Sequence, residues 1–107
     1  MSTSINDIFE ITGTIITVYP TEVDKNGNFL QKVILANANG INTNIIIGSR
    51  VLVLVKFQQY DDLIEFKVND PITVKGHFVK GNNNFLDTIH TVHAPTGYLR
   101  YNGKIYR

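Results

Sequence analysis

At 107 residues, 43% hydrophobic and 18% charged, the chain can build one modest core and is too ordinary in composition to be disordered throughout. It has no cysteine, which excludes a disulfide framework and a thiolate metal site, and its formal charge of +1 excludes recognition by bulk electrostatics alone. No basic and then apolar leader opens MSTSINDIFE, and apolar runs such as residues 51–55 are too short to cross a bilayer as a helix, so a cytoplasmic protein without a membrane partner is expected.

Val, Ile, Thr, Phe and Tyr dominate, and the breaks fall at Asn, Gly, Asp and Pro clusters, as in a small all-β domain. A first strand is predicted over residues 9–18, with Phe9, Ile11, Gly13 and Ile15 on one face and Glu10, Thr12 and Thr14 on the other. Gly13 in mid-strand marks a bend or bulge. Residues 21–28 form a polar loop turning at Asn26-Gly27, and a second strand follows over residues 29–37. Asn39-Gly40 reads as another hairpin turn. NTNIII after it is either a separate short strand or the first half of a third strand bent at Gly48-Ser49.

The third strand proper, residues 50–57, is apolar on both faces, and one barrel interior can take only one of them. Tyr60, Leu63 and Ile64 then fall at helical spacing, with Asp61 and Asp62 at the positive end of the dipole, predicting a short helix over residues 60–66. Asn69-Asp70-Pro71 ends it. Fourth and fifth strands are predicted over residues 72–79 and 85–93, joined across residues 81–84. Three strands, a short helix and two strands make a five-stranded OB-fold barrel over residues 1–95. Residues 96–107 remain as a basic, aromatic extension, in which Asn102-Gly103 predicts a hairpin with Arg100 opposite Ile105.

FEITGTIITV, NGNFLQKVILANAN and VLVLVKFQQYDDLIEFKVNDPITVKGHF resemble, in order and spacing, the opening, second, and third-to-fourth strand segments of bacterial and phage single-stranded DNA-binding proteins. That resemblance implies an OB-fold, coating of single-stranded DNA (or RNA) in replication or recombination, and self-association as a dimer or tetramer. The chain departs from the family in having no tryptophan, and in ending on the basic YLRYNGKIYR where cellular members carry a disordered tail with an acidic tip. The departures point to a small phage or mobile-element type.

Sequence-independent binding of single strands needs flat rings for bases and cations for phosphates along one groove. From Pro71 onward the chain carries Lys75, Lys80, Arg100, Lys104 and Arg107 against the single Asp87, and its last ten residues hold three of the five tyrosines. The expected nucleic-acid contacts are Lys32, Lys56, Phe57, Tyr60, Lys75, His77, Tyr98, Arg100, Tyr101, Lys104, Tyr106 and Arg107; Tyr19, Phe29 and Phe78 are further candidate rings. Phe9, Phe66 and Phe85 are expected in the core. Catalysis is not expected, and neither is a cofactor or metal. Asp61-Asp62 suits a helix start better than a metal pair, His90 and His93 would point to opposite faces of one strand, and no glycine-rich phosphate loop is present. A protein-interaction OB module without nucleic-acid binding is the alternative.

Overall fold

The computed structural model describes residues 8–41, 50–81, 86–90, 92–93 and 95–107. Its strands are β1 (Ile8–Val18), β2 (Glu22–Val23), β3 (Phe29–Ile41), β4 (Arg50–Phe57), β5 (Pro71–Val79), β6 (Asp87–His90), β7 (Tyr98–Tyr101) and β8 (Lys104–Tyr106). β1 pairs with both β3 and β5, closing a barrel in the order β1-β3-β4-β6-β5-β1. Only β4 and β6 run parallel among these neighbours. With the two-residue β2 set aside, this is the expected all-β, five-stranded OB-fold barrel. No helix among the described residues is long and apolar enough to cross a membrane.

The alternating strands put Ile11, Ile15, Val33, Leu35, Val51, Val53, Val74 and Ile89 inside, fully shielded from water. β1 must bend to serve two neighbours, and Gly13 marks where it does. Between the pairs Thr12–Asn39 and Thr14–Ala36, two residues of β3 face the single Gly13, a bulge in which Asn37 takes φ 54°. A Cβ on Gly13 would meet the Ala36 carbonyl and the Leu35 Cβ at 3.1 Å, so the bend also depends on a close backbone approach.

Three expectations need correction. Asn39-Gly40 is no turn: Asn39 pairs with Thr12 and Gly40 with Ile11 inside β3, which runs on to Ile41. The helix shrinks to one 3-10 turn, Tyr60–Asp62, because Leu63 is already extended. The fifth strand ends at His90 rather than His93. The NTNIII stretch and the turn at residues 82–84, with Phe85, lie outside the described residues.

What replaces the helix is a strap across the end of the barrel, held by side chains. Gln31 points inward and is 7% exposed. Its amide donates to the Ile64 carbonyl at 2.6 Å and accepts the Ile64 N–H at 2.9 Å, a side-chain imitation of a strand pairing. Tyr101 holds the other end, its hydroxyl donating to Asp70 Oδ2 at 2.5 Å and accepting the Lys67 N–H at 3.0 Å. Ile64 and Phe66 are thereby pressed into the core. Gln31→Leu should lower stability by about 2–4 kcal/mol, since a buried donor and a buried acceptor both lose their partner. Urea denaturation measures it, and a loss below about 0.5 kcal/mol would show that the strap holds without Gln31.

The C-terminal residues form the predicted ribbon. Asn102 (φ 55°) and Gly103 (φ 80°) make the two left-handed residues of a type I′ turn, and Arg100 lies opposite Ile105. The ribbon belongs to the barrel. β5 pairs with β6 over residues 77–79 and with β7 over residues 72–75, so β7 takes over the edge that β6 leaves. Leu99 is fully buried and Tyr101 is 4% exposed.

Candidate nucleic-acid interface

Two stretches of the barrel's outer surface carry the expected contact residues. The first is the outside of β3 and β4, where Leu30, Lys32, Ile34 and Ala36 face Lys56, Leu54, Leu52 and Arg50 in register. Lysines therefore alternate with half-buried aliphatic side chains across two strands. Beyond β4 a groove of about 310 Å³ is lined by Leu30, Leu54, Lys56, His90 and His93 with Val55 and Val92 beneath.

Lys32 and Lys56 are not free cations. Lys32 meets Glu22 Oε2 at 2.9 Å, and Lys56 stands 3.9 Å from Asp24 Oδ2. Asp24 is chiefly a turn residue: it accepts the Asn28 N–H at 2.9 Å and the Asn26 N–H at 2.8 Å. The Asn28 N–H, more than Lys56, holds its carboxyl below its ordinary 3.8. Both pairs are largely solvated, so each contributes little and a phosphate can replace the carboxylate at small cost. Tyr19, 41% exposed, lies 5.7 Å from Lys32 Nζ.

The second stretch is the outside of β5 and β7. Lys75 and His77 alternate with inward Val74, Gly76 and Phe78, as expected. Lys75 pairs with Tyr98, Thr73 with Arg100 and His77 with His90. The Arg100 guanidinium sits 5.6 Å from the Tyr98 ring. Past the ribbon, a cleft is lined by Lys56, Phe57, His93, Tyr106 and Arg107, with Lys104 Nζ 4.9 Å from the Tyr106 ring. Among the described residues Lys75, Arg100, Lys104 and Arg107 form no salt bridge.

The stretches join. His90 belongs to the first groove and pairs with His77 of the second stretch, while Lys56 and His93 line both the groove and the cleft. A continuous band therefore runs from Tyr98, Arg100 and Lys75, past His77 and His90, to Lys56, Phe57, Tyr106 and Arg107. His90 and His93 were expected on opposite faces. They line one groove because the strand ends between them, and no local pattern in the sequence signals that end. His90 joins the band through its register with His77, which sequence spacing cannot supply.

Two expected contacts fall elsewhere. Tyr101 is a core residue, tilted against Phe66 at 5.2 Å, and cannot stack on a base. Burial, then its bond to Asp70, pushes its phenol above the ordinary 10.0, so it remains a donor. Tyr60 is 68% exposed but sits off the band, edge-on to Phe29 at 5.8 Å and followed by Asp61 and Asp62. Of the further rings, Phe78 is buried against Phe9 at 5.0 Å. Comparison of the chain with protein-family models, with curated proteins and with solved structures found no match.

Proposed function

We propose that the protein binds single-stranded DNA without regard to sequence, with the strand lying along the band from Tyr98 to Arg107. One observation carries this reading: Tyr98, Phe57 and Tyr106 alternate along the band with Lys75, Arg100, Lys104 and Arg107, cations without a carboxylate partner among the described residues. Bases have π-faces and phosphates have charge, so an alternation of rings and cations accepts any sequence. A duplex hides its base faces and gains only the cations. Coating DNA in replication or recombination, and a phage or mobile-element origin, belong to the same proposal and rest on the sequence resemblance.

Fluorescence anisotropy with a labelled homothymidine strand and a duplex control tests it. Binding should favour the single strand, and log affinity should fall with log salt by roughly 0.7 per phosphate contact, a shallow slope for so few cations. Equal affinity for duplex, or none for either, would return the protein to the class of OB interaction modules.

Self-association is part of the proposal. Leu52 and Ile34, paired on the outer face of β3 and β4, lie above the groove and are apolar without serving the interior. A second copy covering them would leave the band open. Light scattering should then give a mass above the 12.1 kDa of one chain, and a monomer at micromolar concentration would remove this part.

A further inference from the structure

Where the two stretches join, His77 and His90 face each other across the antiparallel pairing of β5 and β6, with ring centroids 5.7 Å apart and planes inclined at 47°. Barrel closure does not require histidines there, since both side chains lie on the outer face while Phe78 and Ile89 fill the interior. The charged groups around the pair are mostly cationic. Lys75 is two residues from His77 on the same face of β5, and Lys56 and His93 share the groove with His90. On β1, Ile8 is opposite His77 and Glu10 opposite Lys75. Tyr98 of β7 lies on the other side of Lys75. Asp87 of β6 is buried on the inward face and engaged by Lys80 and the Gly81 N–H. Burial, and next the charge of His77, hold the His90 imidazole below its ordinary 6.5, so the free protein keeps the pair from being doubly charged near neutrality. An anion reverses that preference, because it stabilises both imidazolium ions at once.

We propose that His77 and His90 form a phosphate subsite of the band, occupied by one backbone phosphodiester with both rings protonated. This rests on the single-strand reading above and adds the ligand group and its protonation state. At this spacing each ring can turn one N–H to the same phosphate, at charge-assisted hydrogen-bond lengths of about 2.8 Å. Binding then takes up protons. The sign follows: the bound phosphate raises both imidazole pKa values, so affinity grows as pH falls through the histidine range. A shift of about one unit per ring, the low end for an opposite charge at contact distance, multiplies affinity by about ten per ring once both are protonated.

The test is anisotropy of a labelled homothymidine strand at about pH 8 and about pH 5.5, the span over which histidine alone among ordinary side chains changes charge. Wild type should tighten by at least about tenfold more than the His77→Gln/His90→Gln double variant, and the two should agree within about threefold at the higher pH. NMR titration of the wild-type imidazoles, with and without strand, needs no variant and should show the His77 and His90 pKa values rising on binding. The same titration with inorganic phosphate separates the sources: a comparable rise would mean that free phosphate fills the subsite unaided, against the assignment to a strand phosphodiester. Strand binding with equal pH dependence in both proteins, and unmoved imidazole pKa values, would overturn the subsite and leave the single-strand reading standing. No strand binding by wild type at either pH would overturn both.

Discussion

Gly76→Ala is expected to destabilise the protein by about 3 kcal/mol or more, measured as a fall in the urea midpoint. A Cβ at this position would lie 2.3 Å from the His90 carbonyl oxygen and 2.9 Å from Val92 Cγ1. The first contact is with backbone, which cannot swing aside as a side chain would. Gly76 stands where the edge of β5 passes from β6 to β7, and the chain leaving β6 crosses directly against it. Relief of the clash must separate β6 from β5, which loosens the parallel β4–β6 pairing that closes the barrel. Gly103→Ala provides the contrast. Nothing lies within 4 Å of its Cβ, so only the left-handed φ of 80° is penalised, at about 1 kcal/mol. Equal and small losses for the two variants would mean that β6 is not held against Gly76.

The second large effect separates binding from stability on the ribbon. Tyr98 and Arg100 face outward, while Leu99 and Tyr101 face the core. Tyr98→Ala should weaken single-strand binding by roughly tenfold, within the 1–3 kcal/mol that one stacked base is worth, and should leave the urea midpoint nearly unchanged. Tyr101→Phe should do the reverse. It removes the donor to Asp70 and the acceptor for the Lys67 N–H, lowering stability by about 1–2 kcal/mol while the folded protein binds as before. Truncation of the whole ribbon would not distinguish these roles, because it strips Leu99 from the core and uncovers β5. If Tyr101→Phe lost affinity and Tyr98→Ala kept it, the ribbon would present its other side to the strand.

The ribbon was legible in the sequence because everything that determines it is local. Asn102-Gly103 supplies the two left-handed residues, and alternation then assigns sides. The same dipeptide misleads at Asn39-Gly40, where pairing with Thr12 and Ile11 outweighs the turn preference. Alternation also placed Lys75 and His77 outside the barrel correctly, since β5 is regular from Pro71 to Val79. It could not show which side of the ribbon meets the core, and so Tyr101 was counted among the contacts. The helix over residues 60–66 failed for a nonlocal reason. Gln31, more than 30 residues away, satisfies the Ile64 backbone groups in an extended chain and removes the advantage of a further helical turn. The junction of the band depends on the register His77–His90 and on the end of β6, neither of which is written in local spacing.

Photo-crosslinking of wild-type protein to a homothymidine strand, with the modified residues located by mass spectrometry, tests the central claim most directly. The band predicts crosslinks at Tyr98, Tyr106 and Phe57, and none at Tyr101 or Phe66, which the core shields. Crosslinks confined to Tyr60 and the 3-10 turn, or an absence of crosslinks at saturating strand, would contradict it.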